Sequence, residues 1–338
     1  MAGPAATLGP VAAPQLKEPY YRSTEVNELL VALEEATRAT PTGGPSEFVP
    51  PAGGELQQVE ARFHHLIFGR RGSGKTTLLR YLENELQKTG RATVWIDQEL
   101  FMALSYPDVL VSSVLEVMEG ARSAVVAARS AASDSRWRRV LGHGRERRRR
   151  RQAAKAALDR AIANLQTLKH LPNDRKVEWT RKVGTDDTLD ALGSVRVVPV
   201  EVRVGTTTKS SESLTTTETV ISSKEEYLER SLGEFRSLVI AAAAECDGGF
   251  VFLDEFYRVD RKDQPLVLGY MHRLVKDTGL WLKVGSVRYW TTPYRGGSPP
   301  RGMQPTQDAN IISLDRGLQL VESTRAFLET ILGNIAAR

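Results

Sequence analysis

The run Gly69-Arg70-Arg71-Gly72-Ser73-Gly74-Lys75-Thr76 constrains the fold more than any other stretch of the chain. A glycine-rich segment ending in Gly-Lys-Thr wraps an anion only when its backbone takes positive φ without Cβ clashes, which glycines at 69, 72 and 74 allow. Its amides must then converge on a helix start, where unpaired N–H groups and the helix dipole both favour negative charge. The flanks have the order this needs. Phe63-His64-His65-Leu66-Ile67-Phe68 reads as a short buried strand, and Thr76-Thr77-Leu78-Leu79-Arg80-Tyr81-Leu82 carries apolar residues at helical spacing. Strand, glycine loop and helix together predict an α/β fold, the three-layer αβα sandwich of P-loop NTPases with a central parallel sheet. The competing reading is a glycine-rich strand-to-helix turn with a chance Lys-Thr, which leaves so complete a context unexplained.

In such a cradle Gly69, Arg70, Arg71, Gly72, Ser73, Gly74, Lys75, Thr76 and Thr77 surround the phosphates. Lys75 brings charge to the β- and γ-phosphate oxygens, and the Thr76 hydroxyl ligates Mg²⁺. ATP and Mg²⁺ are the cofactors expected.

A second stretch supplies the complementary chemistry. Gly248-Gly249-Phe250-Val251-Phe252-Leu253-Asp254-Glu255 is a turn, four apolar residues, then two acids. A continuous apolar run suits a central parallel strand buried on both faces, and ligands of such sheets gather at the carboxyl ends of the strands. Asp254 is thereby placed to hold Mg²⁺, usually through water, and Glu255 to polarise an attacking water. The alternative is a solvated acidic pair capping the next helix. A phosphate loop, however, needs a partner acid, expected here on a strand adjacent to that of the loop.

With the later strand Leu280-Trp281-Leu282-Lys283-Val284-Gly285-Ser286-Val287-Arg288, these segments resemble the Walker A, Walker B and sensor 1 segments of AAA+ ATPases. Within that superfamily they are most similar to origin-recognition-complex-like ATPases and to the STAND-type bacterial ATPases of signalling and antiviral systems. The resemblance covers about 62–104 and 235–332. It implies Ser286 near the γ-phosphate and the lytic water, Arg288 just beyond it, and a homo-oligomer or larger assembly. Ser286 reads equally well as an ordinary strand-end serine. Arg288, Arg295 and Arg301 follow on a Pro/Gly-rich stretch, from which an arginine finger reaches a neighbour's phosphate or on which arginines are simply solvated.

Composition sets the outer limits. With 338 residues, 41% apolar and 26% charged, the chain is of ordinary globular type, with room for one large or two smaller domains. No apolar stretch approaches about 18 residues, and Met1-Ala2-Gly3-Pro4-Ala5-Ala6 lacks a basic region leading into an apolar core. No membrane span, no signal peptide and a cytoplasmic location are therefore expected. One cysteine, Cys246, excludes an intramolecular disulfide and a multi-cysteine metal site. His64, His65, His143, His170 and His272 lack ligand spacing and read as structural or surface residues.

Along the chain, residues 1–22 read as a proline-punctuated disordered arm and 23–60 as a helix and linker. Residues 61–119 and 226–315 read as two parts of an ATPase core, and 316–338 as the start of a lid helix. Between the core parts, 120–225 is too long for a plain crossover and should have structure of its own. Arg136 to Arg151 contains nine arginines and one acid, Glu146, a local charge of 9 − 1 = +8 in a chain of net +5. Such a block neutralises nucleic-acid or lipid phosphates, with Trp137 available to stack, or is a solvated hairpin tip broken by Gly142 and Gly144. Arg151 to Leu171 reads as an amphipathic helix paired antiparallel with Ala121–Ser133. Val195–Val204 and Leu214–Ile221 read as an exposed β-hairpin, a packing or protein-partner surface.

Three function classes remain at this stage. The first is an ATPase that hydrolyses ATP to assemble or remodel a partner, nucleic-acid-associated or in antiviral defence. The second is a nucleotide-gated signalling switch or scaffold with little turnover. The third, a P-loop kinase, is weakened by Glu255, which suits activation of water. If the arginine block contacts nucleic acid through phosphates, affinity should be nearly independent of sequence. Its log–log salt slope on duplex should be roughly −4 to −7. Titration of labelled duplex and single strand at several salt concentrations tests this, and no binding at low salt leaves the block as a solvated tip or protein-docking surface.

Overall fold

The computed structural model describes residues 54–133, 144–173, 175–183, 192–197, 208–212, 215–315 and 329–330. The expected arm, the N-terminal helix, nearly all of its linker and nearly all of the lid segment lie outside these residues. Within them the centre is a five-stranded, wholly parallel sheet. Its strands are β1 (His65–Phe68), β2 (Ala92–Asp97), β7 (Gly249–Asp254), β8 (Leu280–Ser286) and β11 (Asn310–Ser313), in the spatial order β11-β1-β8-β7-β2. The expected adjacency of the loop strand and the acid-bearing strand is thus corrected: β8 lies between β1 and β7. Sequence order could not reveal this, because the strand that intervenes in space comes later in the chain.

Side-chain alternation along the strands builds two core layers. Ile67, Phe250 and Phe252 point to the face covered by α1 (Glu55–Glu60) and α2 (Lys75–Lys88), joining Leu56, Leu78, Leu79 and Leu82. Leu66, Phe68, Val251, Leu253, Leu282 and Val284 point to the other face, against α3 (Asp108–Ser133), α6 (Leu232–Ala243) and α7 (Gln264–Val275). Burial on both faces explains why these strands read as near-continuous apolar runs. An α/β sandwich with a parallel centre follows.

The segment between β2 and β7 is only partly an appendage. Helix α3 runs as one helix to Ser133, and α4 (Gly144–Lys169) packs back along it. Contacts Arg122–Asp159 (3.5 Å) and Arg151 Nη1 to the Ala128 carbonyl (3.3 Å) fix the pairing as antiparallel. Ala157, Leu158, Ala161, Ile162, Leu165 and Leu168 of α4 enter the same apolar cluster as the sheet face. Lys224, at the start of α5 (Lys224–Arg230), is almost wholly buried. It bridges Asp108 at 2.5 Å and donates to the Leu171 carbonyl, so the start of α3 and the chain just past the end of α4 are joined. Removing one partner of such a pair typically costs about 3–5 kcal/mol.

Two expectations for this segment change. The β-hairpin is a four-stranded antiparallel sheet of β3 (Val177–Val183), β4 (Leu192–Val197), β5 (Thr208–Glu212) and β6 (Thr215–Ser222), in the order β4-β3-β6-β5. Strand β3 separates the two expected to pair; its polar Glu178, Thr180, Arg181 and Lys182 masked the alternation of buried Val177 and Trp179. Residues 198–204 of the expected strand lie outside the described residues, as do 136–143 of the arginine block. Arg151 is not a phosphate contact but a structural arginine, bonded to Glu245 at 2.5 Å and to the Ala128 carbonyl. Arg148 and Arg149 are exposed on α4, so a substitution that tests the block should stop at Arg149.

At the amino end of the sheet Lys283 is fully buried in β8. Its Nζ donates to the carbonyls of Ala61 (2.7 Å) and Phe63 (3.0 Å) and lies 2.8 Å from His65 Nδ1, clamping the turn that leads into β1. Burial pushes its pKa down to about 6. A folded pKa below the unfolded one means that the unfolded chain binds the extra proton between pH 6 and about 10.4. Stability should therefore rise with pH through this window and lose that gain as pH falls to 6. In urea denaturation, the difference between wild type and Lys283→Met should climb above pH 6 by up to about 1.4 kcal/mol per pH unit. A flat difference would mean that Lys283 stays charged in the fold.

Candidate functional site

The carboxyl ends of β1, β8, β7 and β2 meet at the glycine loop. Gly72 and Gly74 have φ of 77° and 81°, and Gly74 caps α2 in the left-handed conformation that other residues adopt only under strain. A Cβ on Gly69 would lie 2.2 Å from Ser73 Oγ. The loop closes on itself through Ser73 N–H to the Arg70 carbonyl (3.1 Å), and Gly69 N–H donates to the Ser286 carbonyl (3.3 Å). Asp315, just beyond β11, accepts from Arg70 N–H at 2.9 Å. Arg70 and Arg71 side chains are exposed, so the loop offers backbone rather than arginine to a ligand.

Lys75, the first residue of α2, is buried, and its Nζ folds back to donate to the carbonyls of Gly69 (2.9 Å) and Arg70 (2.8 Å). Burial lowers its pKa, while Glu255, Asp254 and Asp315 oppose the shift. All four charged groups thus share one field.

Asp254 ends β7 and is almost completely buried. Burial raises its pKa to about 6; the Thr76 hydroxyl, which donates to it, pulls the other way, and nearby Glu255 and Asp97 add to the rise. It reaches Thr76 across an intervening strand because β8 carries glycine where they meet. A Cβ on Gly285 would lie 2.7 Å from Asp254 Oδ1 and 3.0 Å from Leu79 Cδ1. Glu255 follows with φ 51° and ψ 33°, a left-handed conformation that costs a non-glycine residue of order 1 kcal/mol and concentrates at functional sites. Its carboxylate lies 3.8 Å from Arg258, which also pairs with Glu99 at 2.9 Å.

Ser286 is buried at the end of β8. Its Oγ lies 2.6 Å from Thr291 Oγ1, and Thr291 donates to the Val287 carbonyl, so the Ser286 proton points into the loop that follows. Arg288 is exposed, with its guanidinium 5.2 Å from the ring centre of Phe68, the residue before the glycine loop. Arg295 and Arg301 stand further out, directly opposite each other on the two-residue ladder of β9 (Tyr294–Arg295) and β10 (Arg301–Gly302).

Two buried oxygens at the site have no partner among the described residues, Ser73 Oγ in the loop and Asp254 Oδ1. Buried polar atoms are normally paired, so both keep bonding capacity for a ligand at the loop. A nucleotide phosphate with Mg²⁺ fits this arrangement, with Thr76 and Asp254 the side chains that would hold the cation. Among the described residues no group of three or more His, Cys, Asp or Glu can hold a metal, so water and phosphate oxygens would complete the shell, as Mg²⁺ commonly requires. Sequence reasoning missed Gly285 and Asp315. The isolated glycine in an apolar strand was the available signal for Gly285. Asp315 is defined only by where β11 ends.

A family model described as ORC-CDC6-like matches residues 31–104, which run through β1, the glycine loop, α2 and β2. The match supports a relationship to ORC/CDC6-like proteins of the AAA+ class over that part of the chain. No curated protein and no solved structure matches.

Gly285→Ala should weaken binding of Mg·ATP, measured by calorimetry, while binding of ATP in the presence of chelator changes less. Its Cβ displaces Asp254 and leaves Lys75 untouched. Equal affinities for wild type and variant would show that Asp254 does not hold the cation.

Proposed function

We propose that this chain is a P-loop ATPase of AAA+ type that binds Mg·ATP at residues 69–77 and hydrolyses it with Glu255 as general base. The observation that carries the reading is the approach of Asp254 to Thr76 through the glycine window of β8, beside Lys75 and the loop. Bound Mg²⁺ supplies neutralisation of phosphate charge. Lys75 exchanges the carbonyls of Gly69 and Arg70 for phosphate oxygens. Glu255, on its fixed turn, accepts a proton from water. The Ser286 oxygen, its proton engaged by Thr291, offers lone pairs rather than a hydrogen bond to phosphate, so it orients water instead. Arg288 covers the open side of the loop, and Arg295 or Arg301 is the group that reaches a neighbouring subunit in a homo-oligomer. Exposed Arg148 and Arg149 support a nucleic-acid-associated role for the insertion, and the small antiparallel sheet a protein-partner surface.

A nucleotide-gated switch is favoured by one observation: the Glu255 carboxylate lies 3.8 Å from Arg258, a cation that competes with water for it.

Lys75→Ala is expected to abolish ATP binding in calorimetry while leaving the fold intact, and wild-type affinity would sink the assignment. Glu255→Gln is expected to keep ATP and lose about 10²–10⁴-fold in steady-state phosphate release. If wild type binds ATP without multiple turnovers, the switch reading is correct.

A further inference from the structure

Gln264 is fully buried at the first turn of α7, away from the glycine loop, yet it bonds both segments that carry the proposed chemistry. Its Nε2 donates to the carbonyls of Val259 (2.9 Å) and Trp290 (3.1 Å). Its Oε1 accepts from Thr292 N–H at 2.7 Å. Val259 closes the turn that starts at Glu255, through Arg258 N–H to the Glu255 carbonyl (2.9 Å) and Val259 N–H to the Phe256 carbonyl (3.2 Å). Trp290 and Thr292 belong to the loop after Ser286, in which Thr291 holds the Ser286 hydroxyl and Arg288 precedes Trp290. Tyr257 and Trp290, with ring centres 5.3 Å apart, and a bond from Arg261 Nε to Thr292 Oγ1 (3.0 Å) add to the link.

A side chain with two donors and an acceptor, all engaged and all shielded from water, is a costly thing to bury unless each bond is made. No apolar residue of similar size replaces it without stranding two carbonyls and an amide. Through three bonds, the turn that fixes Glu255 and the loop that fixes Ser286 and Arg288 cannot move independently.

We infer that Gln264 is a positioning residue, which holds the Glu255 turn and the Ser286–Arg288 loop as one unit, so that the base and the groups around the γ-phosphate keep a fixed separation. This rests on the ATPase reading above for its catalytic consequence, but not for the mechanical coupling. Misplacement of a catalytic group by about 1 Å costs on the order of 100-fold in rate.

The test is Gln264→Leu, examined by amide hydrogen exchange, ATP calorimetry and phosphate release. Expected are faster exchange in both 255–260 and 287–293, unchanged ATP affinity, and turnover reduced about 100-fold. Turnover retained despite loosened segments overturns the inference, and so does a parallel fall in affinity and turnover, which marks a general structural role. If Gln264→Leu does not fold, Gln264→Glu carries the same test. It keeps the volume and the acceptor for Thr292 but sets a carboxylate oxygen against the two carbonyls. If wild type shows no turnover, the ATPase reading fails and exchange alone decides. In the variant the two segments should then loosen together, and loosening of one alone, or of neither, overturns the coupling.

Discussion

A buried carboxylate has to be reached, from one strand away, by the hydroxyl at the head of the loop helix, and much else in the structure follows from that demand. Asp254 and Thr76 belong to β7 and α2, with β8 lying between β7 and the strand that feeds the loop. Their contact requires an intervening strand with no side chain at the crossing, a strand register that brings the ends of β1, β7 and β8 level, and a loop pinned at a fixed height. Gly285 meets the first demand. The pairings Phe68 with Ser286 and Leu253 with Val284 meet the second. The third is met by bonds from Gly69 and Arg70 to Ser286 and Asp315. Leu79, which also borders the window, shows that the same gap is shared by the apolar core.

The insertion has a different logic. Its helices are not a separate module leaning on the core; the inner half of α4 completes the apolar layer that covers the sheet. Lys224 closes the arrangement by joining the first turn of α3 to the chain after α4. Whatever the outer part of the hairpin contacts, its base is continuous with the helix that begins just past the end of β2.

Most of the parallel sheet was legible from sequence, and for one physical reason: strands buried on both faces leave long apolar runs, and the glycine loop fixes their direction. The ends of β7 and β8 could be placed at Asp254 and Ser286 because each apolar run stops at a polar residue. Spatial order was not legible, since nothing in Leu280–Ser286 says that it inserts between two earlier strands. Strand β3 was hidden because the polar Glu178, Thr180, Arg181 and Lys182 interrupt the apolar signal of buried Val177 and Trp179. The direction of the Ser286 hydroxyl and the reach of Gln264 depend on loops meeting in space, which no periodicity encodes.

The ribbon of β9 and β10 has a further consequence. It is packed on α7 where Gly269 faces Gly302, and it presents Arg295 opposite Arg301. Like charges directly across a ladder destabilise it, and mobile counter-ions screen that repulsion over about 8 Å at physiological ionic strength. On the same helix, Arg273 pairs with Glu229 at 2.6 Å, an exposed attraction that the same ions weaken. Dilution therefore tightens one contact on α7 and loosens the other, so two charged features borne by a single helix answer ionic strength with opposite sign.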